Sequence, residues 1–253
     1  MSEAQVHHWL VLALFGAAAL TFVILRFVTA PYGRYERAGW GPTLPSRAGW
    51  VLMEAPACLG FVGIYLAGDH RFAVAPLLLL AVWQFHYVHR TFVFPWRMRL
   101  EGKRMPLAVV LMGASFNGLN AYVNARWISH LGDYGPTWLD SPELVVGLGL
   151  FACGAWINRR SDAMLAALRR PGESGYRVPR GWLFEYVVNP NYFGECLEWV
   201  GWAIATWSLP GAAFAAYTFA NLAPRAMSNL EWYRAEFGDE FPSDRRAIVP
   251  HLL

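Results

Sequence analysis

LEWVGWAIATWSLPGAAFAAYTFANL, residues Leu197–Leu222, can be folded in two ways, and the choice sets the topology of the whole chain. It is either one long apolar helix or two helices in a tight hairpin broken at Ser208-Leu209-Pro210-Gly211. Proline removes a helix hydrogen bond, and Pro-Gly is a turn signal. The basic residues choose between the two. Arg159, Arg160, Arg169, Arg170, Arg177 and Arg180 precede the stretch, and Arg225, Arg234, Arg245 and Arg246 lie at or beyond its end. Basic segments stay on the cytoplasmic side of a membrane, so an even number of crossings separates the two groups. The hairpin is therefore expected.

Toward the N-terminus, Trp9–Val28 is apolar except for Thr21 and Arg26, and roughly twenty residues suffice to cross a hydrocarbon core. Further apolar runs lie at Trp50–Ala67, Phe72–Pro95, Leu107–Trp127 and Leu144–Ile157. Arg34, Arg37 and Arg47 follow the first run, and Arg97, Arg99, Lys103 and Arg104 follow the third, whereas the intervening connections carry only Arg71 and Arg126. These patterns predict an all-α polytopic membrane protein with seven transmembrane helices. The N-terminus is expected outside and the C-terminus in the cytoplasm. One domain, 1–253, is expected, with spans near 9–28, 50–67, 72–95, 107–127, 144–168, 195–209 and 211–235. No internal repeat interrupts it.

Composition agrees. Of 253 residues, 56% are hydrophobic and only 15% charged, against about a quarter charged in a soluble domain. The first run lacks a basic leader and a small-residue cleavage site, so it is expected to be retained. The net charge of +3 comes without a basic block interleaved with aromatics, which sets nucleic-acid binding aside. Cys58, Cys153 and Cys196 are an odd number without ligand spacing, so no disulfide framework and no metal site are expected, and all three read as small buried hydrophobes.

Ionisable groups inside a membrane are costly and mark function by default. Glu54 lies about seven residues past Arg47, roughly 10 Å along a helix entering from the cytoplasm. Tyr87 lies at a similar depth on the helix that returns, beside His86, His89 and Arg90. A carboxyl and a phenol can thus face each other across antiparallel helices, a pair suited to proton donation. The alternative is that Glu54 pairs with His86, His89 or Arg90 as interhelical glue. On the residues alone the two stand level.

Four polar stripes follow helical spacing. Asn117, Asn120 and Asn124 form one, read first as amides bonding neighbouring helices and second as a cavity lining. Asn158, Asp162 and Arg169 form the next, followed by Asn191, Glu195 and Glu198, then Arg225, Asn229 and Tyr233. The last three project to the cytoplasmic side. Arginine forks suit phosphates, while Asn and carboxylates suit ribose hydroxyls and amides, so together they suggest a site for a large polyanion such as a nucleotide. There is no Rossmann fingerprint. Gly147, Gly149 and Gly154 sit in an apolar run with no strand before them and read as helix packing.

Several blocks carry a resemblance. His86-Tyr-Val-His-Arg-Thr-Phe-Val93, Leu183-Phe-Glu-Tyr186 with Pro190-Asn-Tyr-Phe-Gly-Glu-Cys-Leu-Glu-Trp-Val-Gly201, Arg169-Arg-Pro-Gly-Glu173 with Tyr176-Arg-Val-Pro179, Ala205-Thr-Trp-Ser-Leu-Pro210 and Trp232-Tyr-Arg-Ala-Glu-Phe237 resemble the steroid 5α-reductases from about Tyr32 onward. The resemblance implies a seven-helix enzyme that reduces the Δ4 bond of a 3-oxo steroid with NADPH. It implies Tyr87 as proton donor, Glu54 as its partner at the ketone, and Trp50 and Tyr32 at the substrate end. Cofactor contacts are implied at Asn158, Asp162, Arg169, Tyr176, Asn191, Glu195, Arg225, Asn229 and Tyr233, with Glu198 added from its stripe. Two positions depart from the family pattern: Met53 stands where glutamine is typical, and Ser228-Asn229-Leu230 where a histidine run is. The rival readings are a membrane methyltransferase using S-adenosylmethionine, another lipid enone or sterol reductase, and a lipid carrier. The expected setting is a bilayer, bacterial inner membrane or endoplasmic reticulum, with a steroid-like substrate and a monomeric chain.

Overall fold

The computed structural model describes residues 1–98, 100–168 and 175–253. Among these the chain is predominantly helical. α1 spans Glu3–Phe27 and begins six residues before the apolar run, because Ser2 and Gln5 close a reciprocal capping box. α2 spans Ser46–Leu66 and α3 begins at Val74–Val88. α4 is Leu107–Arg126, α5 Pro142–Ala167, α6 Pro190–Thr206 and α7 Leu209–Phe237. The expected hairpin is present. Trp207 turns the chain in the left-handed region at φ 43°, and the Ser208 hydroxyl caps α7 by accepting from the Gly211 amide. α6 starts five residues before the expected 195, since Pro190 takes the first turn where no N–H is needed.

Besides the π turn Trp127–Leu131 that ends α4, two of the rods contain π-helical turns that apolar periodicity does not announce. Pro56–Gly60 widens α2, and His89–Val93 widens α3 before it ends in Phe94–Arg97. Each begins two positions after a candidate site residue, Glu54 in the first case and Tyr87 in the second. A π turn rotates the helix before it relative to the helix after it, and such turns concentrate at functional sites. Beside them, Thr43–Pro45 (β1) pairs antiparallel with Arg104–Pro106 (β2), so the segments that lead into α2 and α4 are tied together.

By length and hydropathy, α1 and α2 are the helices among the described residues that pass as candidates to cross a membrane. The others carry the polar stripes that dilute their hydropathy. α5 and α6 make the closest contact in the molecule. A Cβ on Gly147 or Gly154 would strike the backbone of Ala205 or Glu198, and one on Gly201 or Gly194 would strike that of Phe151 or Asn158. These glycines let two backbones touch, as expected for Gly147 and Gly154. Gly149 faces open space instead.

The core is aromatic. Trp83 is fully buried, stacked on Phe61 at 4.3 Å, and its indole N–H donates to the Ala57 carbonyl at 2.8 Å inside the first π turn. At the N-terminal end of α1, Arg126 grips both oxygens of Glu3 at 2.7 and 2.9 Å and ties α1 to α4. Cys58 is buried and Cys196 partly so, but Cys153 is exposed, which corrects the expectation for all three. It lies on an outer apolar face of α5 with Val145, Val146 and Trp156.

The C-terminal segment docks back on α7, with Ala247 and Ile248 packed against Leu222, Ala223 and Ala226. Its backbone bonds the segment before α6, Val188 N–H to Arg246 O at 2.9 Å and Arg246 N–H to Tyr186 O at 2.9 Å. Arg245 is buried there, donating to the Pro179 carbonyl at 2.7 Å and to Glu185 at 3.1 Å. The Gly181 amide, and after it the Arg245 charge, hold the Glu185 carboxyl below its usual range. This anchoring fixes Asn189 at the mouth of the site.

Candidate active site

A cavity of about 360 Å³ opens between α1, α2, α3, α4, α6 and α7, at the lower end of the range for small-molecule sites. Ile24, Leu25, Val28, Met53, Met112 and Phe116 make its walls apolar. Glu54, Tyr87, Arg90, Asn117 and Glu195 form a polar pole on the same wall. Glu54 and Tyr87 therefore share one cavity, on the antiparallel helices α2 and α3.

Glu54 is 7% exposed and held at both oxygens. Arg90 Nε lies 3.4 Å from Oε1, and Asn117 Nδ2 donates to Oε2 at 3.1 Å. Arg90 in turn packs its guanidinium on the rings of Trp50 at 4.8 Å and Phe94 at 4.6 Å. The carboxylates of Glu195, Glu54 and Asp162 all lie within its electrostatic reach. So both readings of Glu54 hold in part, since it faces the cavity and also pairs with Arg90. Tyr87 is 3% exposed and packed on two rings, Trp83 at 4.9 Å and Trp199 at 5.7 Å. Such packing fixes the ring and leaves the hydroxyl to be aimed.

Toward the C-terminal end of α7, the segment after α1 lies across the predicted stripe. Arg225 sits over the Tyr32 ring at 4.0 Å, and Tyr35 donates to Asn229 Oδ1 at 3.0 Å. Arg34 reaches Tyr233 and is enclosed by Trp232 at 4.3 Å and Tyr176 at 4.8 Å. Asn229 passes the network on to Asn189 at 3.1 Å. Burial raises the Tyr35 phenol above its ordinary value. Arg34 and Tyr35 were not readable as site residues, because a short loop has no periodicity to single them out.

Between α5 and α6, Asn158 donates to the Asn191 carbonyl at 3.0 Å and Asn191 to Asp162 at 2.9 Å. Glu195 of the same stripe faces the cavity. Glu198 does not. It is 1% exposed and bonded to His86 Nδ1 at 2.8 Å, inside the protein and away from the stripe it was grouped with. The offset of seven from Asn191 keeps one face but adds two turns of depth. Trp50 and Tyr32 both line the cavity, edge to face at 6.4 Å. Arg169 lies outside the described residues. The Asn stripe of α4 divides: Asn117 reaches Glu54, whereas Asn124 accepts from the Trp202 indole at 2.9 Å as interhelical glue and donates to Asn120 at 2.9 Å within its own helix.

The collar suits a polyanion. Among the described residues, Arg225 has no carboxylate partner, and Arg34 Nη1 and Asn191 Oδ1 are buried without a hydrogen bond. Buried polar atoms are normally satisfied, and uncompensated cations are the complement of phosphate. No metal-binding group of His, Cys, Asp and Glu occurs among the described residues.

Comparison with known proteins gives an independent finding. Residues 103–253 match the family model described as 3-oxo-5-alpha-steroid 4-dehydrogenase. The chain is 40% identical to Steroid 5-alpha-reductase DET2 of Gossypium hirsutum over 255 residues, 99% of each protein. It is 42% identical to 3-oxo-5-alpha-steroid 4-dehydrogenase 1 of Homo sapiens over 230 residues, 90% of this chain and 88% of that one. With the Bos taurus protein of the same name the identity is 40% over 236 residues, 92% of this chain and 91% of that one.

Proposed function

The chain belongs to the 3-oxo-5-alpha-steroid 4-dehydrogenase family of oxidoreductases, and from that membership we propose that it reduces the Δ4 double bond of a 3-oxo steroid with NADPH. The observation that carries the proposal is the polar pole of the cavity. A phenol held by two indoles and a carboxyl held by Arg90 and Asn117 line the same largely apolar cavity. A flat hydrocarbon skeleton with one carbonyl fits that polarity.

In this mechanism the substrate ketone enters the pole and accepts a hydrogen bond from the Tyr87 hydroxyl. NADPH, when bound, supplies a hydride to the β-carbon of the enone. Negative charge then develops on the ketone oxygen as the C=C electrons shift and is met by the proton of Tyr87, and tautomerisation of the enol with water puts hydrogen on the α-carbon and returns a proton to Tyr87. Tyr87 and Glu54, the latter donating as a protonated carboxyl, bind that oxygen more strongly as an enolate than as a ketone, which lowers the barrier rather than only the KM. Trp83 and Trp199 hold the phenol in place, and Arg90 keeps the carboxyl from turning away. The surrounding aromatic wall excludes water and strengthens each of these interactions.

Arg225, Arg34, Asn229, Tyr233, Tyr176, Asn158, Asp162, Asn191 and Glu195 are the residues we assign to holding NADPH, with Arg169 from the sequence pattern. The unpartnered Arg34 and Asn191 atoms support that assignment. Glu198 is left out of it. The proposed setting is one seven-helix domain crossing a bilayer, with the N-terminus outside and the collar facing the cytoplasm, acting as a monomer.

The test is NADPH oxidation by the purified chain with testosterone or progesterone, with the 5α-dihydro product identified. Formation of that product supports the reading. Failure to turn over either steroid, together with failure to bind NADPH, removes it.

A further inference from the structure

Asn117 belongs to a stripe whose simplest meaning is helix-to-helix bonding, and Asn124 on α4 behaves that way through Trp202, while Asn120 bonds Asn124 within the helix. The contacts of Asn117 differ. Its Nδ2 lies 2.7 Å from the Met53 carbonyl and 3.1 Å from Glu54 Oε2, and its side chain lines the cavity. An amide's oxygen and nitrogen are told apart by their partners. The Met53 carbonyl can only accept, so the atom facing it is the nitrogen. That nitrogen carries two hydrogens, one for each acceptor, and both are used.

Asn117 Nδ2 is anchored to the α2 backbone at the Met53 carbonyl, three residues before the Pro56 that opens the π turn. With the nitrogen pinned to the backbone, its second hydrogen points at Oε2 of the next residue, Glu54. Oε2 is thereby committed as an acceptor. A proton on the Glu54 carboxyl then belongs on Oε1, which meets Arg90 Nε only at 3.4 Å.

We propose that Asn117 is a positioning residue of the reaction, which fixes the plane of the Glu54 carboxyl and makes Oε1 the oxygen that addresses the substrate carbonyl. This rests on the reductase reading. Asn117 acts through Glu54 and needs no contact with substrate. The neighbouring side chain, Met53, offers only a thioether to the cavity, so it cannot take over the task.

The experiment is a double-mutant cycle on the full chain in detergent, with NADPH and testosterone. Asn117→Leu keeps the size and removes the donor. It is expected to lower kcat about tenfold to a hundredfold, the order set by small misplacements of a catalytic group. The testosterone KM should change less than about threefold and the NADPH Kd not at all, since both amide hydrogens are spent on Met53 and Glu54 and the residue lies outside the collar. In a Glu54→Gln background, followed by single turnover, the same substitution should cost nothing further, because the group it orients is gone. Asn117→Ser, which can still donate one hydrogen bond, should fall between and serves if the leucine variant does not fold. A kcat within twofold of the unsubstituted chain for Asn117→Leu, or for Asn117→Ser in its place, overturns the inference. So does an equal loss with and without Glu54, which is what a merely structural amide would give. If the unsubstituted chain itself makes no product, the reductase reading fails and takes the inference with it. Turnover that is indifferent to position 117 removes the inference alone.

Discussion

The Tyr87 ring lies nearly parallel to the Trp83 indole, with centroids 4.9 Å apart and planes 29° from parallel. Trp83 is itself locked by its bond to the Ala57 carbonyl, so the backbone of α2 sets the aim of a side chain on α3. Trp83→Leu should therefore lower kcat by at least about tenfold through misplacement of Tyr87. NADPH affinity should be unchanged, because Trp83 lies in the core cluster and not among the collar residues. Parallel measurement of kcat and NADPH Kd checks this, and a loss of cofactor affinity equal to the loss of rate would refute it.

Arg225 gives the clearest test of the collar. Its guanidinium has the Tyr32 ring on one side and no carboxylate among the described residues. Removing a charge-assisted hydrogen bond of that kind costs about 1.5–3 kcal/mol, or roughly tenfold to a hundredfold in Kd. Arg225→Ala should weaken NADPH binding by that amount and leave the testosterone KM, measured at saturating NADPH, within about threefold. Unchanged NADPH affinity would place the phosphates elsewhere.

Glu198 should behave differently from the residues it was grouped with by spacing. Its carboxylate serves His86, and both are buried. Glu198→Leu leaves a buried imidazole without its partner, which costs about 1–3 kcal/mol. Thermal unfolding in detergent should show a lower Tm, while NADPH Kd stays within twofold. A cofactor defect without a stability defect would reverse the assignment.

The α5–α6 contact makes a paired prediction. Gly154→Ala places a methyl against the Glu198 and Gly194 backbones, which cannot move aside, and should cost at least about 2 kcal/mol. Gly149→Ala meets nothing within 4 Å and should be neutral or slightly stabilising. Equal Tm values for the two variants would contradict the packing described for this pair.

Much of this was legible in the residues, and the reason is periodicity. Apolar runs located the seven helical rods, and charge parity split Leu197–Leu222 where Trp207 and Ser208 do turn the chain. Depth along a helix put Glu54 and Tyr87 at one level, and the two do line one cavity. Spacing fails where depth and orientation diverge. Glu198 shares a face with Asn191 but lies two turns deeper, and there the neighbour is His86. Spacing says nothing of loops, so Arg34 and Tyr35 were invisible until the chain laid them on Tyr233 and Asn229. Nor does it announce a π turn or the bond from Asn117 to the Met53 carbonyl just before it.

In the proposed reaction the Tyr87 hydroxyl, beside Glu54, donates a hydrogen bond to the reacting carbonyl and passes it a proton, while the cofactor is held separately at the collar. Tyr87→Phe removes one oxygen and keeps the ring stacked on Trp83 and Trp199. The decisive measurement is the single-turnover rate of testosterone reduction by this variant, made beside its NADPH Kd. A rate at least about a hundredfold lower is expected, the scale of a positioned proton donor, with Kd unchanged. A near-normal rate would mean that the ketone oxygen is stabilised from elsewhere, and the proposed reaction centre would be wrong.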